Sequence, residues 1–479
     1  MLFNSFTFVI FFALVCLAMA LTKLPAFEGF KKEKRLRLRH IVLLLASYVF
    51  YGWWNWLCCL LMLALTLAAH VSALQMDKPW RRTALVLGVA VPLLVLGVFK
   101  YFNFFVDSFC ALFGIARAGT LRILLPVGIS FFVFQALGYM IDVYRRDVVP
   151  EKNLFKYALF VSFFPQLVAG PIERSKNLLH QVSEPHDFDA KRVRDGLLIM
   201  MLGFFEKVVI ADRACIYVDA IFANWAKASG WQIALSTIVF SIQDLGDFGG
   251  YSHIAIGAAH VLGMHLMTNF RQPYFANSVR DFWGRWHVSL GTWFRDYLYF
   301  PLGGSRKGKR RKELNTMIVY TVSGLWHGAA LKYVAWGMMN GALQVIEGWF
   351  PKPKIRHPRL HHIWDVARTD FLIAITMLIF RASSMKAAVG MLGRIVTDWG
   401  AAPYATGFSV AQAVCVTLCI IVLFVFEVIH EKKMTVTELT DRLPGVVRGA
   451  LYIAAIMVIV IFGVWGPGYN AQAFIYFQF

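Results

Sequence analysis

Charge is what this chain of 479 residues has least of: only 16% of its residues are Asp, Glu, Lys or Arg. The scarcity excludes a soluble globular protein, whose surface needs far more charge to face water. Acidic residues are scarcer still, 28 against 48 basic ones, for a formal charge of +20. In a soluble chain that surplus would point to nucleic acid. Here the basic residues gather in short loops between apolar runs, at Lys31–Arg39, Arg306–Lys312 and Lys352–Arg359. Basic loops of that kind set the orientation of a membrane protein, so nucleic acid is set aside as a partner.

Cysteine is also limited, and its seven copies (Cys16, Cys58, Cys59, Cys110, Cys215, Cys415 and Cys419) lie mostly in apolar runs with no Cys-x-x-Cys pair. That excludes a disulfide framework and a thiolate metal site; no metal is expected, and the cysteines read as buried small hydrophobes. No basic region precedes the first apolar run, Leu2–Leu21, and its first positive charge, Lys23, follows it. A secretory signal has the opposite order, so this run reads as a retained helix with its N-terminus outside. There is no internal repeat, low-complexity tract or long linker. The polar stretches are loops of about ten to twenty residues, too short to fold alone. One transmembrane domain over residues 1–479 is expected.

What the chain has in abundance is apolar: 58% of residues, with a mean hydropathy of +0.58. Much of its surface must face lipid. Spans are predicted at Leu2–Leu21, Ile41–Trp56, Leu57–Leu74, Thr83–Phe105, Leu197–Ile210, Trp231–Ile242, Leu314–Val334, Phe371–Phe380, Ala411–Val428 and Ala450–Trp465. Several fall short of the roughly 20 residues a full span needs, which implies re-entrant segments or flanking polar residues drawn in. The middle third is interrupted by Pro126, Gly128, Pro165, Gly170, Pro171, Gly246, Gly249 and Gly250. Irregular backbone at membrane depth needs protein or a water-filled cavity around it, so this region is predicted to line a cavity or funnel. The basic loop Lys352–Arg368 reads as cytoplasmic, Trp399–Gly407 as outside, and Glu431–Arg448 as cytoplasmic. The last helix then crosses outward. Both termini are expected outside, with the tail Tyr469–Phe479 on the outer face.

Three segments carry candidate chemistry. Asp281–Gly304 reads DFWGRWHVSLGTWFRDYLYFPLGG. Trp286, Trp293 and Tyr297 recur at spacings of seven and four, which predicts one helical face. Arg285, His287, Arg295 and Asp296 are threaded between these aromatics. An interfacial helix with Trp and Tyr at headgroup level would look similar. Its density of titratable groups exceeds what an anchor requires. Thr316–Ala330 reads TMIVYTVSGLWHGAA, with His327 between Trp326 and Gly328. An ionisable residue inside a span is a functional candidate, and a neutral imidazole can take a proton from a hydroxyl. A hydrogen-bonded core histidine is the alternative. His287 precedes His327 by 40 residues, a distance at which two adjacent helical elements can converge. Ser241–Ala255 reads SIQDLGDFGGYSHIA, where Asp244 and Asp247 beside His253 suit a structural role at a helix break better than a metal site. The C-terminal AFIYFQF holds one conventional nucleophile, Tyr476. A phenol ester is activated relative to an alkyl ester, which suits a relay, while the tail also suits an aromatic interface anchor.

These segments resemble the membrane-bound O-acyltransferases, in the branch of bacterial alginate and peptidoglycan O-acetyltransferase membrane subunits. The resemblance runs through MLFNSF (Met1–Phe6), ASYVFYGWW (Ala46–Trp54), KYFNFF (Lys100–Phe105) and LPVGISFFVFQALGYMIDVYR (Leu125–Arg145). It continues through FFPQLVAGPIER (Phe163–Arg174), RWHVSLGTWFRDYLYFPLGG (Arg285–Gly304), GLWHG (Gly324–Gly328), FRA (Phe380–Ala382) and FIYFQF (Phe474–Phe479). It implies an all-α polytopic fold: a helical funnel with re-entrant and interfacial helices, in the bacterial inner membrane. His327 is then the presumed catalytic residue and His287 its second member. Related D-alanine transfer systems of teichoic acid carry a tyrosine in a similar tail, which by resemblance points to Tyr476. Arg285, Trp286, Ser289, Trp293, Arg295, Asp296, Tyr297, Trp326 and Gln135 fall in the matching motifs and are expected to bind substrate. One departure is visible: the family commonly reads DFSGYSD where this chain has DFGGYSH, so no role is carried over to His253.

The expected reaction takes an acetyl group from cytoplasmic acetyl-CoA, with no tightly bound cofactor. The acetyl group passes across the membrane for O-acetylation of an exported polysaccharide. The expected partners are an extracytoplasmic acetyltransferase of the SGNH type, the polysaccharide and membrane lipids. D-alanyl or other acyl transfer from a carrier protein is the near alternative. A transporter is the distant one, disfavoured by the lack of a repeat.

Overall fold

The computed structural model describes residues 1–22, 32–115, 125–350 and 358–465. Tyr476 and the rest of the aromatic tail lie outside the described residues, as do residues 352–357 of the last basic cluster. Among the described residues every regular element is helical, in agreement with the all-α expectation. Two compact units form: Met1–Met200 with Ile254–Met267, and Met201–His253 with Thr268–Phe479.

The first unit is built on apolar helices. Phe6–Leu21 starts at Ser5, whose hydroxyl caps Phe8 N, and Trp56–Leu74 starts at Asn55, whose side chain accepts from Leu57 N at 2.9 Å. Such caps pair backbone donors that the first turn leaves open. Arg81–Leu96 continues through a π turn, Gly97–Tyr101, into Phe102–Phe113. Together these residues make a 33-residue apolar rod, longer than the span predicted for it. Ile129–Arg145 is apolar nearly all round and almost wholly buried, as expected of a helix enclosed by protein. Gln135 sits on it, buried. Gly128 opens this helix at φ +73, where a Cβ would press on the backbone of Leu167 and Val168. The predicted irregular stretch around Pro165, Gly170 and Pro171 is present, and every residue from 157 to 173 is buried. Its surroundings are therefore packed protein, one of the two environments such backbone tolerates.

In the second unit two π turns, Phe205–Ala211 and Leu245–Gly249, pack on each other. Gly246 and Gly250 allow the approach, because a Cβ on Gly250 would meet the Gly203 carbonyl at 2.7 Å. Between the turns Lys207 Nζ bridges Asp212 Oδ1 (2.7 Å) and Asp247 Oδ1 (2.5 Å), with all three side chains at most 4% exposed. Glu206 accepts from His253 Nδ1 at 2.6 Å beside them. Asp247 thus takes the structural role expected at a helix break, while His253, to which no role was assigned, pairs with Glu206; both partners come from the apolar segment Leu197–Ile210, where none was anticipated.

Three sequence expectations are corrected. The span predicted at Leu314–Val334 is not one helix: Lys309–His327 ends at Gly328, and Leu331–Glu347 follows after three residues. The two helices fold back on each other, with Gly324 against Tyr333 and Gly337, and Gly337 against Tyr320. Trp286, Trp293 and Tyr297 likewise do not share one helix. The chain breaks between Val279–Arg285 and Val288–Phe294 at His287, whose φ is +45, and then passes into a π turn at Arg295–Tyr299. Trp286 falls in the break and loses phase with the other two. The short span at Phe371–Phe380 proves to be the end of a 24-residue helix, Pro358–Arg381.

Among the described residues four helical stretches are long and apolar enough to cross a membrane: Trp56–Asp77, Arg81–Phe113, Val410–Glu431 and Gly445–Phe462. Only 11% and 6% of the last two windows is buried, so their side chains face outward along most of their length. Exposed Leu, Ile and Val on that scale require lipid as solvent.

Candidate active site

The break at His287 and the end of the helix at His327 meet. Their imidazole centroids lie 6.3 Å apart, and both residues are buried, at 3% and 6% exposure. Each break has a local cause. His287 takes a left-handed conformation that L-residues other than Gly avoid, at a cost of order 1–3 kcal/mol. The flanking backbone holds it there. Arg271 N donates to the Arg285 carbonyl, Val288 N donates to the Asn269 carbonyl, and both bonds are 2.9 Å long. Ser289 Oγ donates to Asn269 Oδ1 at 2.6 Å, and Asn269 Nδ2 donates to Ser252 Oγ at 3.0 Å. At the other break Gly328 is extended, and a Cβ there would collide with the Tyr333 ring. The tyrosine ring thus leaves no room for a side chain at the turn.

Aromatic rings enclose the pair. Phe248, from the second π turn, packs edge-on against His287 at 4.7 Å. Trp326 lies 5.9 Å from His287 and 4.9 Å from His327. Trp336 and Phe380 stand edge-on to His327 at 5.1 and 5.6 Å, and 5.0 Å from each other. Lys332 fixes Phe380 by donating to the carbonyls of Phe380 (3.2 Å) and Ala382 (2.7 Å), which the end of the helix leaves open. Trp283 Nε1 donates to Asn340 Oδ1 at 3.1 Å and packs on Trp336 at 5.4 Å. A wall of this kind keeps water out, so a polar interaction inside it acts at low dielectric.

The other expected site residues are placed as follows. Arg285 is paired with Asp281 (3.1 Å) and Glu431 (2.8 Å). Trp286 is buried among Phe270, Tyr274 and Phe282. Ser289 is fully buried on Asn269, and Trp293 is buried against Phe294 and Tyr297. Arg295 and Asp296 pair with each other at 2.9 Å, with side chains 54% and 33% exposed. Gln135 belongs to the first unit.

Residues 149–384 match the membrane-bound O-acyltransferase family. The probable alginate O-acetylase of Pseudomonas putida is 39% identical over 392 residues, covering 78% of this chain and 79% of that protein. The chain belongs to the membrane-bound O-acyltransferase family. The peptidoglycan O-acetyltransferase of Helicobacter pylori is 31% identical over 74% of this chain and 73% of that protein. A teichoic acid D-alanyltransferase of Streptococcus thermophilus is 31% identical over 49% of this chain and 60% of that protein. This membrane-bound O-acyltransferase therefore carries a buried histidine pair as its candidate centre, within the matched residues.

Phe248, Asn269, Trp336 and Asn340 were not anticipated as part of this centre. Trp336 sits in an apolar run, where a ring reads as core, and Phe248 sits among Asp247, Gly249 and Gly250 in a segment expected to be structural. A signal was present for Asn340: a carboxamide in an apolar run must find partners, and its oxygen accepts from Trp283 on the segment that leads to His287.

Proposed function

We propose that this membrane-bound O-acyltransferase transfers an acetyl group from acetyl-CoA toward an exported polysaccharide. The observation that carries the reading is the buried histidine pair, 6.3 Å apart inside an aromatic wall. The names of the alginate and peptidoglycan O-acetylating relatives supply the acyl group and the class of acceptor. His327 is the general base. It accepts the proton of an attacking hydroxyl as the oxygen bonds to the thioester carbonyl carbon. The tetrahedral intermediate collapses with loss of the CoA thiolate, which recovers that proton and leaves as the free thiol. His287, held by its backbone bonds, keeps the site polar opposite His327.

Acetyl-CoA enters from the cytoplasm in this reading, with its phosphates near the basic loop Arg306–Lys312. Arg295 and Asp296 shape the approach, and Trp326 lines the centre. Tyr476, on the outer face of the inner membrane, is the first acceptor. It hands the acetyl group to an extracytoplasmic transferase of the SGNH type. Support for an outer location comes from the charge distribution, which also puts both termini outside. A second reading, D-alanyl transfer from a carrier protein, is kept because of the resemblance to the teichoic acid D-alanyltransferase.

The test is mass spectrometry of purified protein incubated with isotopically labelled acetyl-CoA, comparing wild type, His327→Ala and Tyr476→Phe. Label on Tyr476 that is lost in both variants supports the relay. CoA release without label on Tyr476 removes the tyrosine and leaves direct transfer by His327. No release from wild type favours the carrier-protein donor.

A further inference from the structure

The indole N–H of Trp336 is buried, in a residue only 3% exposed, and has no hydrogen-bond partner among the described residues. Buried donors in folded proteins are nearly always paired, and an open one needs a reason. The side-chain amide four residues on, Asn340, does not supply it. Asn340 gives its oxygen to Trp283 Nε1 (3.1 Å) and its nitrogen to the Trp336 carbonyl (2.9 Å). The ring neighbours of Trp336 are Trp283, Phe380 and His327, at 5.4, 5.0 and 5.1 Å. Two of the three offer no hydrogen-bond acceptor, and the third is the proposed base. The open donor thus belongs to the ring packed directly on His327.

The ring is also firmly set. Gly337, next in the chain, lies against Gly324 and the Tyr320 carbonyl on the helix that ends at His327. The donor and the base therefore ride on two helices locked face to face. A donor fixed before the substrate arrives costs no reorganisation when charge develops, which is the condition for stabilising a transition state.

We infer that Trp336 Nε1–H is the oxyanion donor of the acyl transfer. The inference rests on the acyl-transfer reading above. When the hydroxyl oxygen bonds to the carbonyl carbon, the carbonyl π electrons move to its oxygen. Trp336 donates to that oxygen while His327 holds the hydroxyl proton. Re-formation of the carbonyl breaks the C–S bond, and the thiolate takes the proton from His327. Trp336 changes no bond and no protonation state; it lowers the energy of the charged intermediate.

The experiment replaces Trp336 by β-(3-benzothienyl)alanine, which keeps the ring system and puts sulfur where the N–H was, alongside Trp336→Phe. CoA release from acetyl-CoA and thermal unfolding are measured on the same full-length detergent-purified samples. With an oxyanion donor removed, kcat falls about a hundredfold in both proteins while KM moves less than about threefold. The unfolding temperature of the benzothienyl protein stays at the wild-type value. A kcat within about threefold of wild type in the benzothienyl protein overturns the assignment, as does a rise in KM alone, which would mark ground-state binding. If wild type releases no CoA while turning over a D-alanyl carrier, the acetyl-CoA reading fails instead. The same pair of variants, assayed with that donor, then decides on Trp336.

Discussion

Ser289 Oγ donates to Asn269 Oδ1 at 2.6 Å, which ties the residue two positions beyond His287 to a different segment of the chain. The same asparagine accepts from Val288 N through its carbonyl and donates to Ser252 Oγ. One fully buried carboxamide thus sets the path of the backbone on the C-terminal side of His287. Removing it deletes one hydrogen bond from each of two buried hydroxyls, at about 0.5–1.5 kcal/mol for each bond. Asn269→Ala is expected to lower the unfolding temperature and to reduce CoA release. Ser289→Ala removes one partner only and is expected to cost less on both counts. Equal losses from the two variants would mean that the amide does not organise the turn.

His287 stands at φ +45, so its side chain and its backbone make opposite demands. Glycine adopts this conformation freely, whereas alanine retains the strain. His287→Gly and His287→Ala should therefore be equally inactive but unequally stable, with the glycine variant ahead by about 1 kcal/mol. Thermal unfolding of the two purified variants measures the difference. An alanine variant as stable as the glycine one would place the strain elsewhere.

His327 was legible because an imidazole in an apolar run has few reasons to be there. Its setting was not. The run from Leu314 to Val334 carries a single Lys and no Asp, Glu or Arg, so hydropathy continues through the break. The extended turn at Gly328 lies against the Tyr333 ring, a contact that hydropathy does not record. The periodicity of Trp286, Trp293 and Tyr297 misled for a related reason. A single left-handed residue shifts the phase, and a strained histidine carries no compositional mark. The outward helices near the C-terminus were the easiest to place, because they answer to lipid alone. Packed helices answer to each other. Lys207 shows the limit well: it lies in a run read only as an apolar span, and the carboxylates that receive it depend on how the two π turns meet.

The turn joining the helices that end and follow His327 depends on absent side chains. A methyl group on Gly324 would strike the Tyr333 carbonyl, and one on Gly337 would strike the Tyr320 carbonyl. Backbone cannot retreat as a flexible side chain can, so the helices must separate. Overpacking of this kind costs about 1–3 kcal/mol. Gly324→Ala and Gly337→Ala are expected to depress kcat by more than their stability loss implies, since separation moves Trp336 away from His327. Gly393→Ala, where nothing stands within 4 Å of the new methyl, is the control and should behave as wild type. Activity and unfolding measured across the three variants separate a positional effect from a general loss of folding.

The buried bridge of Lys207 with Asp212 and Asp247 gives the last test, because its balance depends on all three charges. Lys207→Met removes the cation and leaves two carboxylates confined together, at most 4% exposed. Breaking one side of a buried pair typically costs about 3–5 kcal/mol, whereas neutralising every member can cost little. The single variant is expected to lose most of its folded yield in detergent. Adding Asp212→Asn and Asp247→Asn to it should recover much of that yield, since no uncompensated charge of the bridge remains. The bridge also holds the π turn that sets Phe248 against His287. The triple variant should therefore regain folding while still releasing CoA more slowly than wild type. Recovery of both properties would mean that Phe248 keeps its place without the bridge. Recovery of neither would mean that the charges act separately.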